Sequence, residues 1–192
     1  MLILYIIFQF FSLITLSLSF NGKSMNHIYK NIYLGNYESA KNENFLKMYD
    51  IHTVINCAAE LQNNYKDLIS YDLNLYDMPE EKIINEFENA YNFVKRHLDH
   101  NILVHCYMGI SRSSSFVIFY LMKEEKWNYE TCFEFVRKKR PCIEPNYGFE
   151  QQLKDYYYKY IHNKWIYIFI CFICLNIYNI VLTLENKTKI KN

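Results

Sequence analysis

The run Ile102-Leu103-Val104-His105-Cys106-Tyr107-Met108-Gly109-Ile110-Ser111-Arg112-Ser113-Ser114-Ser115 constrains this chain more than any other stretch. Ile102-Leu103-Val104 reads as a short buried strand that runs straight into His105-Cys106. From Arg112 to about Lys126 an apolar helix follows, carrying Phe116, Val117, Phe119, Tyr120 and Leu121. The few residues between must therefore wrap a helix N-terminus, and such a loop turns successive backbone N–H groups inward. Together with the helix dipole they form a cradle for an anion. Gly109 lets the backbone bend where a side chain would obstruct. Arg112 adds a planar fork able to hold two oxygens of a tetrahedral oxyanion. Helix termini and cations also favour the thiolate of a cysteine seated among them, so one loop supplies both anion binding and a nucleophile at Cys106.

Around this run, strands alternate with helices. Ile28–Leu34 reads as a first strand or hairpin ending at Gly35, and Ser39–Met48 as a helix with Ser39 as its cap. Thr53–Cys57 is a buried strand and Tyr71–Leu75 a short alternating one. The loop Tyr76-Asp77-Met78-Pro79-Glu80-Glu81 leads into a helix with Phe87, Ala90, Val94 and Leu98 on its apolar face, Glu80 and Glu81 falling in the first turn. Two more helices are expected at Tyr129–Lys139 and Tyr147–Ile161, separated by Pro141 and Pro145. The pattern predicts an α/β fold, a central mixed sheet flanked by helices.

A length of 192 residues suits one domain, and 51% apolar residues with 18% aromatic ones exclude wholesale disorder. A net charge of +1 argues against a nucleic-acid partner. Residues 1–20 and 165–184 carry no charge, and each run is long enough to cross a bilayer as a helix. The first reads as a signal peptide, with Ser17-Leu18-Ser19 as a cleavage site but no basic n-region, or as a membrane anchor. The second reads as a transmembrane helix, lowered in hydropathy by Asn176 and Asn179, or as an apolar helix packed on the domain. The expected organisation is an apolar end (1–20), a catalytic-type domain (21–164), a second apolar segment (165–184) and a short basic tail (185–192). The six cysteines need not form a disulfide framework in a domain with this much core. Cys171-x-x-Cys174, in an uncharged run with no His nearby, reads as packing of an apolar helix. No metal-ligand cluster is seen, so neither metal nor cofactor is expected.

His105-Cys106-Tyr107-Met108-Gly109-Ile110-Ser111-Arg112-Ser113 resembles the signature of the cysteine-based protein phosphatases, HC-x5-R, in the HCxxGxSRS form of the dual-specificity protein phosphatases. Similarity extends over about residues 25–160 and takes in Ile32-Tyr33-Leu34-Gly35, Val54-Ile55-Asn56, the Asp77 loop and Pro145-Asn146-Tyr147-Gly148-Phe149. The resemblance implies the cysteine-phosphatase fold and a two-step hydrolysis of phosphoproteins. Cys106 would be the nucleophile, Arg112 the transition-state stabiliser, and Tyr107, Met108, Gly109, Ile110, Ser111 and Arg112 the phosphate-binding loop. Asp77 would be the general acid, with Asp72 a less suitable substitute on its strand. Ser113 would stabilise the departing thiolate, His105 would order the loop, and Asn146 would tie the loop down.

Tyr107, Met108, Ile110 and Ser111 are uncharged, whereas phosphoinositide phosphatases of this superfamily tend to place Lys or Arg there. A phosphoprotein substrate is therefore expected, with phosphotyrosine and phosphoserine/phosphothreonine both admitted by a shallow site. The alternatives are a phosphoinositide or other non-protein phosphatase, and a catalytically silent phosphate-binding module. Arg137-Lys138-Lys139-Arg140 reads as cations suited to a helix end, or as a steering patch for acidic phosphopeptides. Because an active-site thiolate oxidises readily, the domain is expected at a membrane with its catalytic face on the cytosolic side.

Overall fold

Five strands form one sheet: β1 (Met25–Tyr29), β2 (Ile32–Gly35), β3 (Ile51–Ala58), β4 (Ile69–Leu75) and β5 (Asn101–His105). The computed structural model describes residues 24–62, 65, 67–163, 167 and 169–178. Strand order is β1-β2-β5-β3-β4. β1 and β2 make an antiparallel hairpin turned at Lys30 in a left-handed conformation (φ 45°), while β2, β5, β3 and β4 are parallel. The sheet is thus mixed, as expected. In the register, Ile55 pairs with Val104 and Asn56 with His105, so alternate residues of β3 and β5 share a face.

That alternation sorts the core into two layers. Val54 and Leu103 face a small cluster with Met25, Ala40, Leu46 and Ile51. Ile55, Cys57, Ile102, Val104 and Cys106 face the main one, with Phe87, Phe116, Phe119 and Phe149. The small layer is covered by two short helices, α1 (Tyr37–Lys41) and α2 (Glu43–Met48), rather than the single helix expected there. Asn36 and Asn42 each accept a hydrogen bond from the amide three residues on, at Ser39 and Phe45. Asparagine caps at least as well as serine, so Asn36 starts the first helix earlier, Asn42 restarts it, and Ser39 is left buried inside α1.

The main layer holds α3 (Ile84–Lys95), α4 (Arg112–Glu125), α5 (Tyr129–Lys139) and α6 (Tyr147–Tyr156). α3 starts at Ile84, so Glu80 and Glu81 lie ahead of its first turn, where Glu86 stands instead. α4 is buried from Arg112 through Met122 and stops at Lys126, again left-handed (φ 61°). The last expected helix loosens after Tyr156 into a π-helical stretch, Tyr157–His162.

Residues 1–20, the tail 185–192, and 165–166, 168 and 179–184 of the second apolar segment lie outside the described residues. Among the described residues no helix is long and apolar enough to cross a membrane. Tyr167 and Phe169–Tyr178 are helical and exposed. Cys171 and Cys174 are therefore exposed thiols rather than packed ones, since no described element lies against that helix.

Four parallel strands point their carboxyl ends the same way, which gathers Gly35, Ala58, Leu75 and Cys106 at one edge. Open α/β sheets bind their ligands beyond that edge.

Candidate active site

β5 delivers His105 and Cys106 to that edge, and the chain then curls around the sulfur. Cys106 is 2% exposed. Its Sγ accepts hydrogen bonds from the Gly109 N–H and the Ser113 hydroxyl, both at 3.2 Å. Every carbonyl from Tyr107 to Ser111 is taken by a donor outside the loop. Tyr37 N–H reaches Tyr107 O at 3.1 Å and Glu144 N–H reaches Ile110 O at 2.9 Å. Arg140 gives Nη2–H to Met108 O at 3.3 Å and Nε–H to Gly109 O at 2.9 Å. Ser111 O accepts from the Ser114 and Ser115 hydroxyls, each at 2.8 Å. A peptide unit is planar, so a carbonyl held outward turns the following N–H inward. The loop is thereby wound into an anion cradle centred near Cys106 Sγ.

Gly109 is the residue this winding needs. Its φ is +69°, and a Cβ there would lie 2.4 Å from the Gly35 carbonyl oxygen, so both conformation and space exclude a side chain.

Arg112 opens α4 and is nearly buried. Its Nη1 and Nη2 give parallel hydrogen bonds to Glu60 Oε2 and Oε1 at 2.6 and 2.7 Å, and Nη1 also reaches Leu75 O at 3.1 Å. Burial works against the cation, but Glu60, Cys106 and Asp77 around it together outweigh burial and raise the guanidinium pKa. The same pairing holds the Glu60 carboxyl below its ordinary range.

Asp77 sits against the second half of the loop. Its Oδ1 accepts from the Ser111 hydroxyl and from Asn146 Nδ2–H, both at 2.7 Å, and Oδ2 lies 3.6 Å from Arg112 Nε. Asn146 caps α6 through Phe149 N–H and gives its own N–H to Ser111 Oγ at 3.1 Å. Gly148 follows because α6 rides on the Asp77 loop: a Cβ there would fall 1.9 Å from the Pro79 carbonyl oxygen. Asp72 instead accepts from Asn56 Nδ2–H at 2.9 Å and stays with its strand.

His105 is fully buried, and burial pushes its pKa down to about 4, so the imidazole is neutral at physiological pH. Its Nε2 lies 3.4 Å from Tyr65 Oη. Cys57, on the same sheet face as Cys106, is also fully buried; burial foremost, then Cys106 beside it, pushes its thiol well up. One thiol is thus kept protonated and the other ringed by donors.

The structure brings Cys106, Gly109, Ser111, Arg112, Ser113, Asp77 and Asn146 together, with His105 beneath. Tyr107 and Met108 are exposed at the mouth, Ile110 half-buried. The basic run at the end of α5 is not one solvated face. Arg137 pairs with Glu134 at 3.3 Å, Lys139 reaches the Ile28 carbonyl, and Arg140 is 4% exposed and holds the loop. Sequence reasoning missed Glu60 and this use of Arg140. The available signals were a carboxylate just past the end of a buried parallel strand, and an arginine directly ahead of Pro141, where a helix must end.

Residues 32–159 match the family model for the catalytic domain of the dual specificity phosphatases. A probable rhodanese domain-containing dual specificity protein phosphatase of Dictyostelium discoideum is 42% identical over 128 residues, 65% of this chain and 27% of that protein. A protein phosphatase Slingshot homolog of Xenopus laevis is 35% identical over 135 residues, 68% of this chain and 19% of that protein. The chain therefore spans about a quarter or less of these two relatives. The solved structure of DUSP15 superposes with a TM-score of 0.69 at 31% identity, covering 72% of this chain and 90% of that one.

Proposed function

The chain belongs to the dual specificity phosphatase family, and from that membership we propose that it is a protein phosphatase acting on phosphotyrosine and phosphoserine/phosphothreonine through a phosphocysteine. The observation that carries the proposal is the cradle itself: Cys106 Sγ sits 3.2 Å from two inward donors, in a loop whose carbonyls are all held outward. In the first step the Cys106 thiolate attacks phosphorus, and the phosphorus–oxygen bond to the substrate breaks. Asp77 gives its proton to the leaving alkoxide or phenoxide, which leaves poorly without one. Arg112 and the inward N–H groups hold the equatorial oxygens. In the second step water attacks the phosphocysteine, Asp77 takes a proton from it, and the Ser113 hydroxyl donates to the departing thiolate. His105 and Asn146 order the loop. The loop carries no charged residue among Tyr107, Met108, Ile110 and Ser111, which favours phosphoproteins over polyphosphorylated inositols.

Cys106→Ser is expected to abolish turnover of a phosphopeptide while preserving the fold and its binding. Arg112→Lys is expected to cripple it, since a point charge does not replace the fork. Steady-state kinetics check both, and wild-type-like rates in either variant would remove the mechanism.

We further propose that residues 21–164 form the catalytic domain and that it works at a membrane, on the cytosolic side, with 165–184 as an anchor and 1–20 as a second anchor or a signal peptide. In support, Phe169, Ile170, Phe172, Ile173, Leu175, Ile177 and Tyr178 are all exposed on one uncharged helix that is apolar except at Asn176, and such a helix suits a lipid environment. Protease digestion of sealed microsomes tests it: a catalytic domain digested from outside supports the assignment, and a protected one overturns it.

A further inference from the structure

Tyr107 follows the nucleophile directly, and its side chain stays 55% exposed at the mouth of the cradle. It does not stand alone. The Tyr37 ring lies nearly parallel to it, with 13° between the planes and 6.5 Å between the centroids. The Tyr37 backbone N–H holds the Tyr107 carbonyl at 3.1 Å, which ties the start of α1 to the start of the loop. Lys41 Nζ lies 5.0 Å from the Tyr37 centroid and pairs with Glu38 at 2.9 Å, so that end of the ring pair is electrically balanced. Large side chains also adjoin the other site groups: Met108 in the loop, Tyr76 and Met78 on either side of Asp77, and Tyr147 after Asn146, all exposed. The two site arginines are buried instead, Arg112 against Glu60 and Arg140 against the loop carbonyls. Of the charged groups at the site, the carboxylates are the exposed ones, the side chains of Glu60 and Asp77 at 43% and 36%.

We propose that the stacked Tyr37–Tyr107 pair is a specificity ledge, which takes an apolar or aromatic side chain next to the phosphorylated residue of a phosphopeptide. This rests on the phosphatase reading of the site and names the substrate class within it. Tyr107 is one Cα step, about 3.8 Å, from Cys106. The residues next to the phosphorylated one in a substrate are the same step from it, so they come within reach of the Tyr107 ring. A tyrosine ring offers wide contact area with few torsions to freeze, and a ring already packed on a neighbour is fixed before the substrate arrives. An apolar side chain laid there removes water-exposed surface from both partners, and an aromatic one adds ring contact. An acidic side chain in the same place meets the exposed carboxylates of Glu60 and Asp77 as like charges, while the arginines lie beneath with other partners. Neither ring has a part in proton or phosphoryl transfer, so the ledge acts on binding rather than on the chemical step.

A rival account treats both rings as ordinary surface, since a chain with 19 tyrosines exposes some of them in any case. Tyr107 belongs to the loop, so the test falls on Tyr37, whose backbone N–H keeps the Tyr107 carbonyl whatever the side chain is. Tyr37→Ala removes the ring and Tyr37→Phe retains it, both in the full chain. Four peptides of one length carry a central phosphothreonine flanked on both sides by Gly, Phe, Asp or Lys. Two quantities are read: kcat and KM for each peptide, and its Kd for the Cys106→Ser protein with and without each Tyr37 substitution. In the wild type the Phe-flanked peptide should exceed the Gly-flanked one about tenfold in kcat/KM, through KM, and the Asp-flanked one should fall below Gly. Tyr37→Ala should cut the Phe advantage to about threefold or less while the Gly-flanked peptide stays within about twofold of wild type. Tyr37→Phe should keep the whole advantage. Equal binding of all four peptides would overturn the proposal, as would a preference for Asp or Lys flanks or a Phe advantage that survives Tyr37→Ala in full. If the peptides bind alike and Tyr37→Ala instead weakens binding to phosphatidylcholine vesicles, the ledge meets lipid and the proposal is overturned too. Should the wild-type chain hydrolyse none of the peptides, the phosphatase reading falls, and the Kd series alone still decides the role of the ledge.

Discussion

The first half of the phosphate-binding loop is held from the protein interior and the second half from its rim. At Met108 and Gly109 the partner is Arg140, 4% exposed, which points its guanidinium at two carbonyls and at Asn26 Oδ1, 2.8 Å away. At Ser111 and Arg112 the partners are Asp77 and Asn146, and the Asp77 side chain is 36% exposed. A buried cation spread over carbonyls has no water to exchange with. A half-exposed carboxylate accepting from a hydroxyl and an amide does. The loop is thus rigid where its N–H groups must be preorganised for an anion, and open to solvent where a proton must come and go.

The largest test of this contrast is to remove the interior support. Arg140→Met keeps an apolar stem but strands the buried Gly109 carbonyl, roughly 1–3 kcal/mol when unpaired, and leaves the Met108 carbonyl, on an exposed residue, to water. Loss of roughly 1–3 kcal/mol in denaturant unfolding is expected, with oxyanion binding lost alongside. A variant as stable as wild type would show that the interior half is not held by Arg140.

Next comes the rim. Asp77→Asn keeps an oxygen for the Ser111 hydroxyl and the Asn146 amide, so the loop stays in place and only the proton is lost. On a serine or threonine phosphopeptide kcat should drop by roughly 10²–10⁴-fold. On an aryl phosphate whose phenol is very acidic the loss should shrink, because that leaving group needs no proton. Equal losses on both substrates would mean that Asp77 has been given the wrong role.

The two halves also differ in how far they could be read from the chain alone. Cys106, Gly109 and Arg112 lie within one short run of the chain, so strand, turn and helix start place them whatever the rest of the fold does. Asp77 and Asn146 stand in short segments that carry the family resemblance, and the structure sets both against Ser111. Glu60 and Arg140 lie far from the loop in sequence, and their local signals, a strand end and a helix end, do not say that either one meets the loop. Glu60 meets Arg112 only because β5 is inserted between β2 and β3, which sets the end of β3 beside the loop. Arg140 stands in a run of four cations, where burial of one cannot be told from exposure of all. At the other end of the fold, Ser39 was displaced as a cap by Asn36 and Asn42, residues of equal capping strength three positions either side. Competing caps of equal strength are settled by packing, and with the helix broken between them Ala40 and Leu46 are both buried in the small core.

A third effect probes the floor shared by both halves. His105 is neutral in the folded protein because burial lowers its pKa from 6.5 to about 4. Below about 6.5 the unfolded chain takes up a proton that the folded one refuses, so stability falls as pH falls. The contribution is fully present above pH 6.5 and is lost by about pH 4, where the folded form protonates too; its size is on the order of 3 kcal/mol. Urea unfolding across that range should show this slope in the wild type and a shallower one in His105→Asn. Parallel slopes would mean that the ring is not buried as a neutral group. Glu60, with its carboxyl pKa lowered by Arg112, adds its own loss only at more acid pH.

The smallest effect falls on Asn146, which serves both the rim and the fold. Its side-chain oxygen caps α6 at Phe149 N–H, 3.0 Å away, and its Nδ2–H holds Asp77 at 2.7 Å. Its backbone N–H goes to Ser111 Oγ whatever the side chain is. Asn146→Ala removes both side-chain bonds, and loss of the cap alone should cost about 1 kcal/mol. Asn146→Ser restores the cap, since a hydroxyl oxygen accepts from the same amide, but it has no second arm long enough for Asp77. Stability should therefore recover in Asn146→Ser while kcat on a poor leaving group stays several-fold down, as in Asn146→Ala. On the acidic aryl phosphate both variants should approach wild type, because a misplaced acid matters only where an acid is needed. If kcat instead recovers together with stability in Asn146→Ser, the amide is a helix cap and nothing more, and Asp77 is steered by Ser111 alone.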